Sequence, residues 1–135
     1  MLKRSAILHF FSALLLVTLA GCGGKANVTG TVTLDGEPVA SGAIAFIKTE
    51  GEPVREGGAV ITNGSFRTEV PPGKYKLELT GSKVTGRRVQ KGFDGKDETI
   101  ETTGELFPDR YNTKTELVED IKAGGKPLKL DLKSK

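Results

Sequence analysis

Apolar residues in this chain alternate with polar ones in short runs, and each run ends in residues that turn the backbone. A two-residue period marks strands with one buried face, and a series of such strands points to a β-sandwich. Val28, Gly30, Val32 and Leu34 fall on one face, with Thr29, Thr31 and Thr33 on the other, before Asp35-Gly36-Glu37-Pro38 turns the chain. Ala43 to Lys48 reads as a second strand with Ile44 and Phe46 inward. Gly51 to Gly58 reads as a polar loop, and Ala59 to Thr62 as a third strand. Asn63-Gly64 then signals a tight hairpin, because both residues tolerate the positive φ of a type I′ turn. Phe66, Thr68 and Val70 form the next inward set, Pro71-Pro72-Gly73 interrupts the ladder, and Tyr75, Leu77 and Leu79 form another. Leu117 to Ile121 can add a strand, and Leu128, Leu130 and Leu132 close the series. No segment carries a helical stripe. The expected fold is all-β: a single seven-stranded β-sandwich over residues 27–133.

Two stretches depart from this pattern. The first is the start of the chain, where Lys3 and Arg4 precede an uncharged apolar run from Ala6 to Ala20. A basic flank, an apolar stretch and small residues in that order make a secretory signal. The run is shorter than the roughly 20 residues that span a bilayer. Its end, Leu19-Ala20-Gly21-Cys22, resembles the bacterial lipobox. The resemblance implies cleavage after Gly21, leaving a signal peptide at 1–21 and a lipidated Cys22 as the new N-terminus. Residues 22–26 would form a short tether. Two or three acyl chains on one residue, at roughly 0.8 kcal/mol per buried CH₂, make an effectively permanent anchor. Gly23, in place of the Asp that retains such proteins at the inner membrane, implies the outer membrane of a two-membrane envelope.

The second stretch is 81–106, which is rich in glycine, mixed in charge and poor in large apolar residues. It reads as a long loop outside the core, and long loops in compact domains tend to be functional or disordered.

Composition removes several classes of chemistry. The leader holds two of the 20 basic residues and none of the 17 acids, so processing lowers the formal charge from +3 to +1. That balance gives no electrostatic footprint for nucleic acid. The single histidine, His9, lies in the leader, and the single cysteine is the one to be lipidated. The processed chain therefore lacks an imidazole and a free thiol. Ser-His-Asp and Cys-His nucleophiles, haem and the usual zinc ligand sets are excluded. No cofactor and no metal site are expected, and the chain reads as a non-enzyme.

The segment from Gly30 to Val39, GTVTLDGEPV, resembles the opening strand and turn of carboxypeptidase regulatory-like domains, which are transthyretin-like β-sandwiches. Asn63-Gly64-Ser65-Phe66 and Pro72-Gly73-Lys74-Tyr75 occupy that family's later turn and aromatic positions. Phe107-Pro108-Asp109-Arg110-Tyr111-Asn112 is similar to a late segment of short bacterial lipoproteins carrying this domain. The resemblance implies a seven-stranded transthyretin-like sandwich. Its motifs are glycines, prolines and core aromatics, so it implies no catalytic residue. Members that hydrolyse small molecules use histidines, which the processed chain lacks.

A few clusters remain as candidates. Lys83, Arg87, Arg88 and Lys91 form a basic run without an acid, suited to anionic headgroups, phosphorylated glycans or an acidic partner. The acids that follow, Asp94, Asp97 and Glu98, favour a solvated loop instead. Asp94-Gly95-Lys96-Asp97-Glu98 clusters oxygen ligands without the spacing of a calcium loop. Tyr111 could stack on a ligand or anchor the core. Glu119 and Asp120, adjacent on a strand, point to opposite faces and cannot cooperate as a carboxylate pair. The functional expectation is a lipid-anchored envelope protein acting as a structural or protein-interaction module. A carbohydrate-binding module at the cell surface is the alternative. Its partners would be the membrane, through the lipid, and an envelope protein or glycan.

Overall fold

The computed structural model describes residues 23–135, so the leader, the lipobox residues Leu19, Ala20 and Gly21, and Cys22 lie outside the described residues. Ten strands follow: β1 (Ala26–Leu34), β2 (Glu37–Pro38), β3 (Ser41–Lys48), β4 (Arg55–Thr62), β5 (Ser65–Val70), β6 (Gly73–Thr80), β7 (Ser82–Lys91), β8 (Asp97–Glu105), β9 (Val118–Ile121) and β10 (Leu128–Leu132). A single 3-10 turn at Asp109–Tyr111 is the one helical element among the described residues. The fold is all-β.

One sheet runs in the order β10-β1-β5-β4-β3-β6-β9, with β2 attached to β1. Each of its seven path strands overlaps one of the seven segments read as strands. Every pairing is antiparallel except β1 with β10, which run parallel from Gly30↔Leu128 to Leu34↔Leu132. The β4–β5 junction is narrow, paired only at Thr62↔Ser65 beside the turn. A hydrogen bond from the Thr68 hydroxyl to the Gly58 carbonyl adds a second link. The sheet curls, and one core cluster draws on both of its halves.

The alternation fills that core as expected. Val28 and Val32 of β1, Phe66 and Val70 of β5, Tyr75, Leu77 and Leu79 of β6, and Leu130 and Leu132 of β10 are all buried. Phe46 sits centrally, fully buried, with Phe66 at 6.3 Å and Tyr75 edge-on at 6.0 Å between ring centroids. Such tilted aromatic pairs are worth about 0.5–1.5 kcal/mol beyond the area they bury. Asn63 and Gly64 both take positive φ, 49° and 78°, as the predicted turn requires. At Gly30 the reason for glycine is space: a Cβ there would lie 2.6 Å from the Phe66 ring and 2.8 Å from the Leu128 carbonyl.

Three expectations change. Ala26 is buried and already belongs to β1, so the described tether ends at Lys25. The polar stretch before β4 is shorter than read, because the strand begins at Arg55 and the glycines at 57 and 58 lie within its ladder with β3. The long loop at 81–106 is a paired two-stranded ribbon, β7–β8.

Candidate interaction site

The β7–β8 ribbon is built from residues with no core to serve. None of its side chains joins the hydrophobic core, and Val84 and Val89 are exposed. β7 and β8 pair from Ser82↔Glu105 out to Lys91↔Asp97, with a bulge at Thr85. A bond from the Thr85 hydroxyl to the Thr102 carbonyl (3.1 Å) holds the bulge. At the far end Gly92 and Lys96 close the turn through a 2.8 Å backbone bond, and Asp94 accepts from the Lys96 N–H at 3.0 Å. Phe93 stands fully exposed on that tip.

Strand directions fix where the ribbon leaves the sheet. β5 runs opposite to β1, β4 opposite to β5, β3 opposite to β4, and β6 opposite to β3. β6 therefore runs the same way as β1, and its last residues lie at the Leu34 end. The ribbon begins directly after β6, so its base and Ala26 occupy opposite ends of the sheet. Nine residues of β1 separate those ends, roughly 30 Å at about 3.3 Å per residue.

The base is stapled. One carboxylate oxygen of Glu105 accepts the backbone N–H groups of Gly81 (2.8 Å), Leu106 (3.1 Å) and Phe107 (3.2 Å). The buried Phe107 ring then roots the segment in the core. Beside it, the C-terminal strand is clasped. Arg110 donates to the Lys133 carbonyl, and its guanidinium lies 4.9 Å from the Tyr111 ring centroid. The Tyr111 hydroxyl accepts the Lys133 N–H (3.3 Å), and Asp35 accepts the Ser134 N–H (3.0 Å). The Arg110 side chain, followed by the Lys133 N–H, lowers the Tyr111 pKa from the ordinary tyrosine value. Bonds from Ser134 lower that of Asp35. Tyr111 is half-buried against the core and serves this clasp rather than a stacking platform.

The basic run does not form one patch. Arg87 and Lys91 share a face with their cross-strand partners and make ion pairs, Arg87–Glu101 at 2.7 Å and Lys91–Asp97 at 2.6 Å. Arg88 shares the other face with Ile100, and Lys83 with Gly104. Neither Lys83 nor Arg88 is ion-paired among the described residues. A flat anionic surface would meet only half of the run. No metal-binding cluster occurs among the described residues, and the Asp94 segment is the tip turn. Glu119 and Asp120 are successive residues of β9 opposite Tyr75 and Lys74.

Charge segregation is the feature that reading for apolar alternation missed. β7 carries four basic residues and no acid; β8 carries four acids and no base. Basic and acidic runs flanking Phe-Asp-Gly-Lys were visible in the sequence as a signal for pairing. No helix among the described residues is long and apolar enough to cross a membrane. No protein-family model matches the chain, and no significant match was found among curated proteins or solved structures.

Proposed function

We propose that this chain is a lipid-anchored envelope protein whose sheet domain is a non-enzymatic scaffold for a projecting interaction ribbon. In this reading residues 1–21 are removed, Cys22 carries the lipid, and residues from about 27 to 133 form a transthyretin-like sandwich of the carboxypeptidase regulatory-like type. The Tyr75–Pro71 hydrogen bond is compatible with a sandwich, since a tyrosine bonded to backbone a few residues upstream recurs in β-sandwiches of the immunoglobulin type. The observation that carries the functional reading is the ribbon, standing clear of the core at the end opposite Ala26. A tether at Cys22 holds the near end of the domain at the headgroups and aims the ribbon away from them. The contact surface is then presented to a protein partner clear of the headgroups. A glycan-binding role has Phe93 as its one fully exposed aromatic among the described residues, too little for a sugar platform.

The test is expression of the full chain in a two-membrane bacterium, with mass spectrometry of the Cys22 peptide and photo-crosslinking from position 93. A diacylglyceryl adduct on Cys22, with crosslinks at 93 that disappear in Cys22→Ala, supports the reading. An unmodified Cys22, or crosslinks unchanged by losing it, overturns the anchor. A lipidated chain that captures no protein overturns the interaction role.

A further inference from the structure

The ribbon is a two-stranded sheet, so the outer edges of both β7 and β8 are without a strand neighbour. Open edges are templates for further strands, and proteins commonly guard them with charge. Here each edge is guarded by a single sign, basic on β7 and acidic on β8. Such guards repel their own kind and attract the other. We propose that the partner of the ribbon is a second copy of this chain, joined through β7 of one ribbon and β8 of the next. This rests on the anchored, interacting protein argued above.

Three observations converge on that arrangement. Charge is the first: β7 against β7 would set four cations beside four cations, and β8 against β8 four anions beside four anions. Only β7 against β8 is complementary. The second is direction. β7 and β8 are antiparallel within a ribbon, so an antiparallel β8 added to the outer edge of β7 keeps both ribbons pointing the same way. Copies tethered at their Ala26 ends to one membrane need that orientation, whereas β7–β7 pairing would oppose their tips. The third is residual charge. Arg87 and Lys91 are neutralised within the ribbon, but Lys83, Arg88 and Glu98 form no ion pair among the described residues. All three lie on the same ribbon face. A neighbouring β8 brings Glu98 to the basic edge on that face.

The bodies have room. Equivalent ribbons lie two strands apart, and a rotation of roughly 20–25° per strand makes them diverge by about 40–50°. With pairing centred on the outer half of the ribbon, body centres fan to about 30 Å apart, near the diameter of a domain this size. The contact is heterologous, so each added copy presents a fresh edge.

The experiment uses the full-length chain purified from membranes in detergent, in light and heavy isotope forms that are mixed and treated with a carbodiimide. Expected are mixed-isotope crosslinks joining Lys91 to Glu98 or Asp97. Arg88→Glu alone and Glu98→Arg alone should each reduce them about tenfold. A mixture of the two variants should restore them, because each then meets its opposite on both edges. Unchanged thermal unfolding of both variants excludes misfolding. Crosslinks confined to one isotope, or no rescue on mixing, overturn self-pairing. In that case capture of another protein from position 93 in cells leaves the anchored interaction module standing, and its absence removes both.

Discussion

The Tyr75 hydroxyl donates a 2.6 Å hydrogen bond to the carbonyl of Pro71, four residues upstream. The ring is buried against Phe46, so this bond joins the Pro-Pro-Gly corner to the middle of the core. Tyr75→Phe keeps the ring and deletes the bond. It should lower the unfolding free energy by about 1 kcal/mol, read as a shifted denaturant midpoint at unchanged slope.

The two tyrosines should titrate apart. Burial, then Glu56, raises the Tyr75 pKa above the ordinary 10.0, whereas Arg110, then the Lys133 N–H, lowers that of Tyr111. Tyr75 favours folding while protonated; that contribution is complete below the unfolded value and is lost as pH rises through the folded one. Tyr111 has the opposite sign, stabilising above the unfolded value and losing that contribution as pH falls through its folded one. Phenolate absorbance should rise in two steps, the first absent in Tyr111→Phe and the second in Tyr75→Phe.

Gly30→Ala tests packing rather than backbone freedom. The new methyl would meet the Phe66 ring, which can shift, and the Leu128 carbonyl, which is held in the β1–β10 ladder. Overpacking of this kind costs about 1–3 kcal/mol. Hydrogen exchange should localise the damage to β10.

Replacing residues 83–104 with Asn-Gly joins Ser82 to Glu105, already cross-strand partners, through a two-residue hairpin turn. The Glu105 staple stays, and no core side chain is removed. Unfolding free energy should change by less than about 1 kcal/mol, with near-UV signals of the core unaltered. A collapse in stability would show that the ribbon belongs to the folding unit.

Apolar alternation made the curled sheet legible because Val28, Phe66, Tyr75 and Leu130 each point inward from strands with one wet face. The same rule failed at β7 and β8, where both faces are wet and nothing apolar marks the period. Their pairing is written in charge, as with Arg87 opposite Glu101 and Lys91 opposite Asp97. The basic run was legible as four residues but not as two faces, since facing depends on strand geometry and on the bulge at Thr85. The Glu105 staple and the Arg110 clasp were hidden for another reason. Their partners are backbone atoms just outside the strands, at Gly81, Leu106, Phe107 and Lys133, which side-chain types do not announce.

β1 and β6 run in the same direction, yet one starts at the Ala26 end and the other hands the chain to the ribbon. A load applied between those two points pulls β1 back along its own axis and β6 forward along its axis. The hydrogen bonds of β1 to β5 and β10, and of β6 to β3 and β9, are then stressed lengthwise and must fail together instead of unzipping singly. Under the proposed anchor and ribbon contact, the domain between them is wired to bear tension.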